Sequence, residues 1–132
     1  MRPERFQAFT LDCVKNTPGA RIQTLAEAGN STYPYGLAIA TPAGEARWQI
    51  YGRLATSERH TDPDVPVTGT PVPAGPPPSP DDSAEAWLAA VLARAQSPEI
   101  VSIDRWSTRP GKNEAGITVT FHNGACAFVR QI

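Results

Sequence analysis

Hydrophobic positions recur at every second residue over Tyr35–Ala40, over Ala46–Leu54 and over Gly116–Arg130, whereas over residues 82–95 they recur every three to four. The first two stretches predict a hairpin. Leu37 and Ile39 point one way, Thr41-Pro-Ala-Gly44 has turn chemistry, and the returning strand places Trp48 and Ile50 inward. Arg47, Gln49, Tyr51 and Arg53 then form a polar outer face.

The C-terminal stretch predicts a second hairpin around Asn123-Gly124, a strong two-residue turn signal. That turn opposes His122 with Ala125, Phe121 with Cys126, Val119 with Phe128 and Ile117 with Arg130. One face then carries Ile117, Val119, Phe121, Cys126 and Phe128, and it is the expected core face. The other carries Thr118, Thr120, His122, Ala125, Ala127 and Val129.

Residues 82–95 predict a helix, with Ala84, Leu88, Val91, Leu92 and Ala95 on one side and Trp87 at its border. Asp82 is the expected N-cap and Glu85 the partner in a capping-box pattern. Ile100–Trp106 reads as a strand and Ser107–Glu114 as a polar loop. Near the N-terminus, residues 6–14 fit a strand with Phe9, Leu11 and Cys13 aligned, or a helix with Phe6, Phe9 and Cys13 aligned; the β-branched residues and the Phe pair favour the strand. Thr17-Pro18 opens an expected short helix over residues 18–28, which Gly29-Asn30 stops.

Between the patterned halves, residues 61–82 hold a run of prolines that forbids a helix or a central strand. The organisation expected is one domain over 1–132, with halves at 1–60 and 83–132 and a proline-rich loop at 61–82. The fold class is α+β: a mainly antiparallel sheet of five or six strands, two helices packed on one face, and the proline-rich loop between the halves. The halves are loosely similar in pattern, without a residue-level repeat.

Composition adds little to this picture. Hydrophobic residues make up 40% of the chain and charged residues 19%, enough apolar content for each half to fold. A formal net charge of −1 argues against a general nucleic-acid or membrane binder, and no apolar run approaches a membrane span. The N-terminus has no leader pattern, so a cytoplasmic location is expected, with Cys13 and Cys126 reduced. All basic residues except Lys15 and Lys112 are arginine, a high-GC, actinobacterial-type bias.

Candidate chemistry is sparse. Cys126 and His122 fall on opposite faces of the expected hairpin, which excludes a local nucleophile–base pair. The two Cys and two His are scattered, giving no metal site, and Gly44, Gly52 and Gly69 form no phosphate loop; no cofactor is expected. The proline-rich segment holds Pro-x-x-Pro spacings but no basic anchor, so it reads as a spacer more readily than as a ligand. The expectation is a non-enzymatic protein that acts through contact with a protein partner or with itself, as an assembly, adaptor or regulatory component. Arg47, Tyr51, Arg53, Trp106 and Arg109 are its candidate interaction surface, and Tyr33, Tyr35, Tyr51 and Trp106 its exposed aromatics. A nucleic-acid-binding accessory role for the same Arg/aromatic face, extended by Arg105 and Lys112, ranks second.

Overall fold

Pro3 at the start, Glu4 in the first turn and Lys15 in the last all favour a helix, and Pro3–Lys15 forms α1. The strand expected over residues 6–14 is thus helical. Phe6, Thr10 and Val14 fall one turn apart and are buried, and the Thr10 hydroxyl donates to the Phe6 carbonyl, so the β-branched residues serve the helix stripe. Thr17 closes this helix by donating from Oγ1 to the Cys13 carbonyl and does not cap a second one. Arg21–Thr24, expected to be helical, is a short edge strand, β1, because Ile22 is drawn to Ile39 of its neighbour.

The computed structural model describes residues 1–111 and 114–132, which leaves Lys112 outside the described residues. The remaining elements are β2 (Gly36–Thr41), β3 (Gly44–Arg53), α2 (Ala84–Arg94), β4 (Ile100–Arg105), β5 (Gly116–Phe121) and β6 (Cys126–Gln131), with a 3-10 turn at Trp106–Thr108. The strands form one six-stranded antiparallel sheet in the order β1-β2-β3-β6-β5-β4. Both helices cover the same face, over a core that includes Phe6, Leu37, Ile39, Trp48, Ile50, Leu88, Leu92, Ile117, Val119 and Val129. The α+β architecture is the one the hydrophobic pattern predicts.

Each half contributes helix–strand–strand–strand, and the two halves meet at β3 and β6. An approximate two-fold axis therefore runs through the sheet centre, by the Gln49–Arg130 pair. Hydrogen bonds repeat across it. Ile50 N–H donates to the Tyr35 carbonyl at 3.0 Å, and Gln131 N–H to the Ala115 carbonyl at 3.1 Å. Gly36 N–H donates to Gln7 Oε1 of α1 at 2.8 Å, and Gly116 N–H to Glu85 Oε2 of α2 at 2.9 Å. The symmetry lives in backbone geometry, which is why no repeat is visible in the residues.

The C-terminal hairpin differs from its expected register by one residue. Gly124 takes a φ of 91°, its N–H donates to the Phe121 carbonyl, and Phe121 N–H donates to Ala125, so the loop holds three residues with a bulge at glycine. Ile117 consequently pairs with Val129, Val119 with Ala127 and Thr120 with Cys126. The slip moves Ala125, Ala127 and Val129 to the core and turns Cys126, Phe128 and Arg130 to the other face.

At the second helix the cap is Ser83, which accepts from Ala86 N–H; Asp82 instead accepts from Ser79 N–H. Glu85 does not complete a capping box. Its side chain is 2% exposed and reaches across to β4 and β5.

Residues 54–83 contain no helix or strand and pass over the helix layer. Asp64 is held by both Arg5 of α1 and Arg2 N–H, Gly69 N–H donates to the Pro98 carbonyl at 2.7 Å, and Arg94 of α2 donates to the Gly75 carbonyl. Val72 packs against the core. The segment is fastened to the helices and leaves the opposite side of the sheet uncovered by either.

Candidate functional site

On that opposite side, strand alternation sets Arg47, Gln49, Tyr51 and Arg53 of β3 beside Arg130, Phe128 and Cys126 of β6. Tyr51 stacks on Phe128 with ring centroids 5.1 Å apart, and the Arg53 guanidinium lies 5.8 Å from the Phe128 centroid. Tyr51 is 39% exposed, the largest exposed aromatic of this face. Arg53 also donates toward Cys126 Sγ at 3.4 Å, and Thr120 Oγ1 lies 3.7 Å from the same sulfur.

Two buried apolar side chains outside the main core flank this strip. Trp106 lies over Gly116, where an added Cβ would meet its ring at 2.3 Å, and the indole N–H donates to Thr118 Oγ1 at 2.8 Å. Leu25 occupies the matching place over Gly36, with Leu25 Cδ1 2.2 Å from where a Cβ would stand. Each follows directly on its edge strand, so the approximate symmetry extends to both flanks.

The Trp106 flank is tied down from the other side of the sheet. Glu85 Oε1 accepts from Arg105 Nε at 2.9 Å and from the Ser107 hydroxyl, while Oε2 accepts from Ser107 N–H and Gly116 N–H at 3.2 and 2.9 Å. Burial alone would raise the Glu85 pKa; the Ser107 hydroxyl, the two backbone N–H groups and Arg105 outweigh it and hold the carboxyl below its ordinary value.

All five candidate surface residues fall on or beside this face. Arg47, Tyr51 and Arg53 lie on β3, and Arg109 reaches Thr118 Oγ1 at 3.4 Å. Trp106, expected to be exposed, is only 9% exposed because Gly116 leaves room for its ring, so it is a wall of the face. Tyr33 and Tyr35 are half-buried, and Arg105 turns inward to Glu85. Sequence reasoning missed Arg130 and Phe128, placing both on the core side. A charged Arg130 opposite Ile117 was the signal that the expected register was off by one.

On the strand positions of this side, Arg21, Arg47, Arg53 and Arg130 stand with two carboxylates, Glu45 and Asp104, and Arg109 reaches Thr118 from the loop after Trp106. Four positive charges against two on these strands leave a local excess of two on a chain whose formal net charge is −1. The near-neutral total conceals a polarised molecule.

His122 and Cys126 stay apart: His122 lies in the turn with Nε2 bonded to the Thr70 carbonyl at 3.0 Å, whereas Cys126 lies by Arg53 and Thr120. Cys13 lines a cleft of about 600 Å³ with Asn16, Pro77, Val91 and Arg94. Burial, then Asp12 beside it, pushes its thiol up to about 11, away from the reactive thiolate. Among the described residues, no group of three or more His, Cys, Asp or Glu could hold a metal ion, and no helix is long and apolar enough to cross a membrane. No family model matches the chain, and no match appears among curated proteins or solved structures.

Proposed function

We propose that this protein is a non-enzymatic binding component that engages a protein partner through the uncovered face of its sheet. The observation that carries the reading is the Tyr51–Phe128–Arg53 cluster on the two central strands, ringed by further arginines and left uncovered by both helices. Tyrosine and arginine are the side chains that interfaces favour, because each brings a large contact area with a polar handle. A cytoplasmic assembly, adaptor or regulatory role fits such a surface.

The alternative is a nucleic-acid accessory role, which draws on the same arginines. Base stacking needs free ring faces. Here Phe128 lies against Tyr51, and Trp106 is buried over Gly116, so one exposed ring remains to offer. Protein contact is therefore the reading we adopt.

The test is affinity capture from the source cells with wild type, a Tyr51→Ala/Arg53→Glu variant and a Glu4→Lys variant on α1. Partners retained by wild type and Glu4→Lys, and lost by the sheet-face variant, are expected. Capture that ignores the sheet-face changes refutes the reading. Size exclusion with light scattering then separates self-association from a hetero-partner. Deleting 63–80, a natural loop test from sequence, is a poor control because Asp64, Gly69 and Gly75 are fastened to the helix layer.

A further inference from the structure

We infer that the occupant of the sheet face is an acidic α-helix of a partner protein, lying along the seam between β3 and β6. This rests on the proposal that the face binds protein, and adds the chemistry and shape of what it binds. Charge complementarity is the first argument. Arg47, Arg130 and Arg53 stand along the seam, with Arg21 and Arg109 at its sides, and Glu45 and Asp104 are the acids on the strand positions of this side. Glu45 is engaged with Arg47 at 3.2 Å, an exposed pair that a partner carboxylate readily displaces. A second copy of the chain, face to face, would set these arginines against one another, so self-association through this face is disfavoured.

Shape is the second argument. Leu25 over Gly36 and Trp106 over Gly116 bound the strip at equivalent places. Gly36 and Gly116 are separated by the successive pairings of β2 with β3, β3 with β6 and β6 with β5. Strand spacing makes that roughly 14 Å. The Leu25 and Trp106 side chains take up part of that width, so a helix about 10–12 Å across rests on the strip along the strands with these two side chains as its shoulders. The floor there is Gln49 and Arg130 at the two-fold axis, then the Tyr51–Phe128 stack, then Arg53.

The positions along β3 also set the pattern that the helix should carry. Arg47 and the Gln49–Arg130 row lie about 7 Å apart, and Arg53 about 13 Å beyond that row. On a helix these spacings match carboxylates about one turn apart, a third about two and a half turns further on, and an apolar side chain between them for Tyr51.

The probe is a displayed library of helical peptides, selected on the full chain in competition with a soluble excess of the Arg47→Glu/Arg53→Glu/Arg130→Glu variant. The expected winners carry aspartate or glutamate along one helix face with an apolar residue between. They lose roughly tenfold or more in affinity for each single charge reversal, and bind the Glu4→Lys variant unchanged. Circular dichroism of the triple variant confirms that it folds. Winners that need Tyr51 but are neutral, basic or non-helical overturn the acidic helix and leave the protein-binding face standing. If no peptide depends on Tyr51 or the arginines, both fail. Oligothymidylate that binds this face more tightly than any selected peptide overturns both in favour of nucleic acid.

Discussion

Replacing Glu85 with glutamine tests how the uncovered face is held in shape. The carboxylate is 2% exposed and receives four donors, from Arg105, the Ser107 hydroxyl, Ser107 N–H and Gly116 N–H. An amide would keep its oxygen on the two backbone donors and turn its NH2 toward Ser107, whose hydroxyl can reverse to accept. Arg105, 36% exposed, would turn to water. Three charge-assisted bonds would become neutral ones, about 0.5–1 kcal/mol each, and the part-exposed ion pair adds at most about 1 kcal/mol. The expected cost is about 2–3 kcal/mol. Glu85→Ala strands both backbone N–H groups and opens a cavity, and should cost about 4 kcal/mol. Urea unfolding followed by tryptophan fluorescence measures both. Because the folded pKa is lowered, the contribution is present above the ordinary carboxylate range and is lost as pH falls through the folded value. The difference between wild type and Glu85→Gln should shrink accordingly. A glutamine variant within about 0.5 kcal/mol of wild type at pH 7, or a pH-independent difference, would refute this account.

The Arg5 hydrogen bond, against opposing burial and with help from Arg2 N–H, lowers Asp64 to about 2, so Asp64→Asn should cost about 2 kcal/mol at pH 7, with the difference fading as pH falls from about 4 toward 2. Limited proteolysis in residues 54–83 should accelerate in that variant, and unchanged cleavage would count against the Arg5 clamp. Gly116→Ala places a methyl 2.3 Å from the Trp106 ring; a loss of about 1–3 kcal/mol is expected with red-shifted tryptophan emission, and an unshifted spectrum would contradict the packing. With its thiol near 11, Cys13 should alkylate about a hundredfold more slowly at pH 8 than an ordinary thiol; rapid labelling of Cys13, read by mass spectrometry, would show the burial argument wrong.

What the sequence determined by itself is the set of local periodicities. Alternation around Thr41-Pro-Ala-Gly44 fixes the first hairpin and sends Arg47, Tyr51 and Arg53 outward, and the apolar stripe of residues 84–94 fixes α2. These signals are strong because a one-residue error would bury charge. Other choices were left to tertiary structure. Phe6–Val14 satisfies both periods, and packing its Phe6–Thr10–Val14 stripe on the sheet decided for a helix. Arg21–Thr24 became a strand because β2 offered an unpaired edge. The Asn123-Gly124 turn is compatible with two loop lengths, and only the fit of Ala125, Ala127 and Val129 against the core selected the register that turns Phe128 and Arg130 to the other face. The candidate site followed that selection. Half of it, on β3, is written in one strand's alternation; the other half exists because two strands far apart in sequence meet at the sheet centre, and such a meeting leaves no trace in local pattern.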